Sequence, residues 1–122
     1  MTTVVPDLDQ LLDDLFQQFQ VPRATYRLQF NPSFTFQDAQ AIVPYLNRLG
    51  ISEVYTSPLY KPRAGSTHGY DTVDYNTFNP ALGTYDDFEA LVSEVKRYDM
   101  GLLLDIVPNH MGISKDNPWW MD

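Results

Sequence analysis

Two hydrophobic periods alternate along this chain. Leu8, Leu11, Leu12, Leu15, Phe16 and Phe19 recur at helical spacing, with Asp9, Asp13, Asp14 and Gln17 on the opposite face. The spacing predicts an amphipathic helix over 7–20, with Asp7 as a cap after Pro6, and a stripe that must bury on this domain or on a partner. ATYRLQF (24–30) reads as a strand, and Asn31-Pro32 turns the chain. Thr35 and Asp38 form a capping-box start for a second helical stripe of Phe36, Ala39, Ile42, Val43, Leu46 and Leu49, which Gly50 closes. Pro44 lies inside that stripe, where a missing N–H and a ring clash predict a kink or a break.

ISEVYTS (51–57) is a second strand, and residues 58–84 then lose periodicity in a run rich in Gly, Pro, Thr, Asn, Asp and Tyr. A loop of that length in a compact domain is functional or disordered, and its tyrosines and turn glycines favour an ordered functional loop. Asn79-Pro80 and Gly83-Thr84 read as turn and cap chemistry. Thr84 and Asp87 open a third helix, with Phe88, Leu91, Val92, Val95 and Tyr98 as its apolar face and Gly101 as its end. LLLDIV (102–107) follows as a continuous apolar strand, the pattern of one covered on both faces or enclosed by a barrel. Strands alternating with helices imply parallel pairing through right-handed crossovers. The chain divides into a leading helix and linker (1–22) and a β/α region (23–122).

Composition narrows the function classes. With 122 residues and 43% hydrophobic content the chain can bury one modest core. A formal charge of −8 opposes nucleic-acid binding, which needs a basic surface, and leaves a neutral ligand such as a sugar open. There are no cysteines, which fits a reducing compartment. The first residues lack a basic segment and carry acids where a signal peptide is apolar, and no apolar run reaches the ~20 residues that span a bilayer. The expectation is a soluble, cytoplasmic protein with no membrane or nucleic-acid partner.

Several polar residues stand where apolar ones are expected. Asp105 interrupts the apolar strand, and a carboxylate there must be hydrogen-bonded or paired. It reads either as a structural buried acid or as an acid at the C-terminal end of a barrel strand, where active sites lie. Asn109 and His110 follow at once, placing three polar groups around one strand exit. The only other histidine, His68, lies on the loop after the second strand, so both histidines open on one rim. A metal set of His68, Asp71, Asp74 and His110 matches no zinc spacing. Tyr70-Asp71 follows Gly69, and Asp74-Tyr75 repeats the pair nearby. Tyr70 is either a sugar platform or a ring packing the loop onto the sheet, and the same choice stands for Trp119 and Trp120.

GYDTVDYNTFNPALGTYDDF (69–88) and DIVPNH (105–110) resemble the loop after strand two and the first signature region of the α-amylase superfamily. PRATYRLQF (22–30), SPLYKPRAGSTHGYD (57–71) and DIVPNHMG (105–112) resemble the maltooligosyl trehalose synthase family within it. The resemblance covers 22–122 and leaves out the leading helix. It implies an α/β fold, the first three βα units of an incomplete TIM-type (β/α)8 barrel behind an N-terminal amphipathic helix. It also implies an enzyme that turns the terminal α-1,4 linkage of a maltooligosaccharide into an α,α-1,1 linkage. Tyr70 would stack on the sugar whose bond breaks, and His110, with His68 on the same rim, would bind substrate. Asp71, paired to an Arg from a later region, and Asp105 would hold the pocket in shape, and Asn109 would orient the loop. No metal or cofactor is implied.

Retaining chemistry needs a carboxylate nucleophile and an acid/base. The resemblance places these after later strands, so no residue of 1–122 is assigned a catalytic role and the chain alone is expected to be inactive. Open strand edges predict marginal stability, with the rest of the barrel or a second copy as partner beside the α-glucan substrate. Another superfamily enzyme, such as an α-glucosidase or glucanotransferase, and a non-catalytic carbohydrate-binding or interaction module are the alternatives.

Overall fold

The computed structural model describes residues 7–19 and 21–122. Helix α1 (Leu8–Gln18) is capped by Asp7, whose carboxylate accepts from the Asp9 N–H at 3.4 Å. Gln20, the last residue of the predicted helix, and Pro6, which precedes its cap, lie outside the described residues. No residue of α1 is buried, and Phe16 and Phe19 stand 74% and 76% exposed, so the stripe finds no cover among the described residues.

The sheet holds β1 (Thr25–Leu28), β2 (Glu53–Thr56) and β5 (Gly101–Leu104), parallel and in the order β1-β2-β5. Helix α2 (Phe36–Leu49) connects β1 to β2, and α3 (Tyr85–Arg97) precedes β5. Leu28 and Val54 from the strands meet Ala39, Val43 and Leu46 of α2 and Leu91 and Val95 of α3 in one buried cluster. Phe36, fully buried, ties this core together, with its ring 5.6 Å from Phe30, 5.5 Å from Phe88 and 6.1 Å from Phe78. Aromatic pairs at these separations add ~0.5–1.5 kcal/mol each beyond burial.

Four sequence expectations need correcting. Of the kink or break expected at Pro44, the break does not occur: α2 continues to Leu49, because Val43 and Leu46 on either side are buried and packing outweighs the lost hydrogen bond. Residues 58–84 are not irregular: they contain an antiparallel ribbon of β3 (Tyr60–Pro62) and β4 (Thr72–Phe78), then a 3-10 turn (Pro80–Leu82) capped by Asn79. Period-two alternation fails there because the register shifts between Tyr60 and Lys61 and again between Lys61 and Pro62. Gly101 opens β5 rather than ending α3, which closes at Tyr98 and Asp99, the latter left-handed at φ 57°. The third strand stops at Leu104, so Asp105 lies just beyond it, and Leu103 and Leu104 are 45% and 46% exposed rather than covered on both faces.

Both predicted capping boxes form. In the second, the Thr84 N–H donates to Asp87 Oδ2 at 2.8 Å and the Asp87 N–H returns a bond to Thr84 Oγ1 at 3.2 Å. Asp87 Oδ1 also accepts from Gln37 Nε2 at 2.9 Å, joining the first turns of α2 and α3. Among the described residues no helix is long and apolar enough to cross a membrane.

The Gln37 amide, then the Thr84 donors, hold the Asp87 carboxyl below its ordinary value of 3.8. A depressed folded value stabilises the fold above the ordinary carboxylate range and loses that contribution as pH falls through the folded value. Asp87→Asn is therefore expected to lower the melting temperature at pH 7, and the gap to wild type to close as melts are repeated below about pH 4.

Candidate functional site

The register pairs Leu28 with Thr56 and Thr56 with Leu104, so the segments leaving β1, β2 and β5 emerge along one edge of the sheet. Side chains alternate along a strand. Leu28 and Val54 face the helices, while Arg27, paired with Tyr55, and Tyr55, paired with Leu103, share the other face. Two residues past Leu103, Asp105 continues that face at the strand exit. The ribbon following β2 carries Tyr70 to the same place.

Tyr70 is the centre of the resulting network. Its hydroxyl donates to Asp105 Oδ2 at 2.5 Å, and the Tyr55 hydroxyl donates to the same oxygen at 3.1 Å. Arg27 Nη2 donates to the Tyr70 oxygen at 3.0 Å. The bond to Asp105 raises the Tyr55 phenol above its ordinary value, and the bond to Tyr70 raises Arg27. A carboxylate oxygen holding two phenol protons acts as an anchor, because its lone pairs are already engaged.

The histidines grip the same residue by its backbone. His68 Nδ1 accepts the Tyr70 N–H at 3.0 Å, so in the neutral ring the proton sits on Nε2, 4.0 Å from Asp71 Oδ2. The rings of His68 and Tyr70 stack at 6.0 Å with 21° between planes. His110 Nε2 lies 3.0 Å from the Tyr70 carbonyl, which only accepts, so that nitrogen carries the proton. Both imidazoles are exposed, and Tyr70 is half-buried between them.

Asp71 is half-buried, and its Oδ1 is fully enclosed with no hydrogen-bond partner among the described residues. Asn109 is exposed on the loop and takes no part in the hydrogen-bond network. The group that ties this loop down is Tyr75, whose hydroxyl bonds the carbonyls of Val107 and His110. Asp74 serves its own turn, accepting from the Asn76 N–H at 2.8 Å and Thr77 Oγ1 at 3.2 Å, and Asn76 chiefly lowers its carboxyl value. Among the described residues no three acidic or histidine side chains gather as a metal site. Trp119 and Trp120 lie on a short helix α4 (Pro118–Met121) and are 58% and 63% exposed.

Sequence reasoning missed Arg27, Gln29 and Tyr55. The available signal was alternation: in ATYRLQF and EVYT they occupy the positions out of phase with Leu28 and Val54. Gln29 bridges Arg27 Nη1, at 3.0 Å from its Oε1, to the carbonyls of Thr67 and His68, at 3.4 and 3.2 Å from its Nε2.

Gly112 locks the ribbon to the loop beyond β5. Its N–H donates to the Thr72 carbonyl at 2.8 Å, and a Cβ there would lie 2.6 Å from the Asp71 backbone oxygen. Gly112→Ala must displace the Asp71 segment, at about 1–3 kcal/mol for an overpacked site. Denaturant unfolding should show a loss of that size.

The chain has relatives of known name. Residues 39–121 match the family described as "Alpha amylase, catalytic domain". The chain is 42% identical over 106 residues to a Mycobacterium tuberculosis protein assigned as a maltooligosyl trehalose synthase, spanning 81% of this chain and 14% of that one. It is 39% identical over 88 residues to an intracellular maltogenic amylase of Bacillus subtilis, spanning 70% of this chain and 14% of that one. The structure of maltooligosyltrehalose synthase from Arthrobacter ramosus superposes with a TM-score of 0.80 at 46% identity, over 83% of this chain and 14% of that one. The chain thus spans about one seventh of the length of these relatives.

Proposed function

Because the chain belongs to the α-amylase family, whose catalytic domain it matches over residues 39–121, we propose that it supplies the first three βα units of a barrel enzyme of the maltooligosyl trehalose synthase kind. That enzyme converts the terminal α-1,4 linkage of a maltooligosaccharide to an α,α-1,1 linkage. Residues 23–122 form the barrel portion, and 1–22 precede it. Identity to named synthases of 42–46% across four fifths of the chain favours this reading over another family member.

One observation carries the proposal. Tyr70 and His68 from the turn between β3 and β4, and Asp105 and His110 from the segment beyond β5, are joined by hydrogen bonds and ring contact at a single sheet edge. A held aromatic face flanked by exposed imidazoles, the His68 Nε2–H as donor and the His110 Nδ1 as acceptor, suits a sugar, whose C–H face stacks on a ring and whose hydroxyls seek donors and acceptors. Tyr70 stacks on the sugar, His110 and His68 bind its hydroxyls, and Asp105 and Asp71 keep the mouth in shape. The enclosed, unpartnered Asp71 Oδ1 supports a later arginine as its partner, since a buried carboxylate oxygen left without a donor is costly. Asn109 would orient the loop beside His110 through a partner on later barrel elements, since among the described residues it is Tyr75 that holds this loop. The exposed Leu103, Leu104 and Ile106 at the free edge of β5 support closure by further barrel elements.

No nucleophile or acid/base is assigned within these 122 residues. Asp105, engaged by two phenols, is a shaping residue. The proposal expects calorimetric binding of maltopentaose by the purified chain, lost on Tyr70→Ala, with no trehalose-ended product on prolonged incubation. Binding undiminished by Tyr70→Ala removes the sugar platform from this ring, and product above a blank overturns the assignment of catalysis to later strands.

A further inference from the structure

Arg27 stands on β1, 43 positions before Tyr70, yet reaches the Tyr70 hydroxyl. A guanidinium only donates, so the bond at 3.0 Å occupies a lone pair of the phenol oxygen. The phenol has a single proton, and it is then committed to Asp105 Oδ2 at 2.5 Å. Direction is fixed along the whole relay: Arg27 to Tyr70 to Asp105, with Tyr55 arriving at the same carboxylate oxygen. The other arm of the fork, Nη1, donates to Gln29 Oε1 at 3.0 Å, and the two Gln29 Nε2 protons are shared among the carbonyls of His68, Thr67 and Phe30. One side chain therefore steadies both ends of the Thr67–Tyr70 turn, the peptide groups before the ring and the hydroxyl at its tip.

We propose that Arg27 is the positioning residue of the sugar-facing ring, setting the attitude of Tyr70 through its hydroxyl and, through Gln29, that of the turn carrying His68. This rests on the reading of Tyr70 as the glucan platform. A planar fork, rather than charge alone, is what reaches two acceptors at once, so lysine replaces it only in part. Arg27 itself is exposed, and its two Nη groups are spent on Tyr70 and Gln29.

The test is a double-mutant cycle on the 122-residue chain, with maltotriose binding and the Tyr70 ring 13Cζ resonance read in the same samples. Arg27→Met is expected to weaken binding about tenfold, the scale of a hydrogen bond from a charged donor. Arg27→Lys is expected to restore about half of that in free energy. In a Tyr70→Phe background, Arg27→Met is expected to cost clearly less than in wild type, about threefold, because the hydroxyl is gone and only the Gln29 arm remains. The Tyr70 resonance is expected to move in Arg27→Met while the melting temperature stays within about 2 °C, as at an exposed position. An undiminished loss in the Tyr70→Phe background overturns the proposal, as does an unmoved Tyr70 resonance. If wild type binds no maltotriose, the glucan reading fails by itself, and the Tyr70 resonance alone then upholds or overturns the role of Arg27.

Discussion

The Tyr70 hydroxyl sits between a cation from β1 and a carboxylate beyond β5, and this bond brings three separate parts of the chain to one place. Parallel pairing brings the strand exits to a common edge, but by itself says nothing about how the loops then lie. The loops are fixed by bonds to Tyr70: His68 at its N–H, His110 at its carbonyl, and Arg27 and Asp105 at its hydroxyl. A ring held at both its backbone and its tip has few orientations left. That restriction lets a half-buried tyrosine present a face to a ligand without a large ordering cost at binding.

Support for this arrangement comes from the opposite side of the sheet. Leu28 and Val54 pack on α2 and α3, and Phe36 joins that core to the ribbon through Phe78. The ribbon bearing Tyr70 is thus seated on the same hydrophobic cluster that fixes the strands. At the loop beyond β5, Gly112 and Tyr75 do the corresponding work, the one through its N–H on the Thr72 carbonyl and the other through its hydroxyl on the carbonyls of Val107 and His110.

Much of this was legible in the chain. Thr35-x-x-Asp38 and Thr84-x-x-Asp87 announced their helices, and both capping boxes formed because the motif is local and self-contained. That Asp105, His110 and the Gly-Tyr-Asp turn leave the sheet at one edge followed from parallel topology; the bonds that join them did not. Illegible features were those set by tertiary context. Pro44 was tolerated because buried neighbours outweighed its local penalty. The ribbon within 58–84 was hidden by its register shifts, and the end of β5 by an apolar run that continued past the pairing. Arg27 and Tyr55 looked like ordinary strand residues until the register put them on the face opposite the core.

The helix α1 and the outer face of β5 present apolar surface that the described residues leave open, and the central account does not depend on either. It depends on Tyr70 meeting Arg27 and His110 at one edge. Nuclear Overhauser spectra of the chain with labelled tyrosine, arginine and histidine measure this directly. The account predicts cross-peaks between the Arg27 guanidinium and the Tyr70 ring and from His110 to the backbone of Tyr70. Their absence, in spectra that retain the Phe36–Phe88 core contacts, contradicts it.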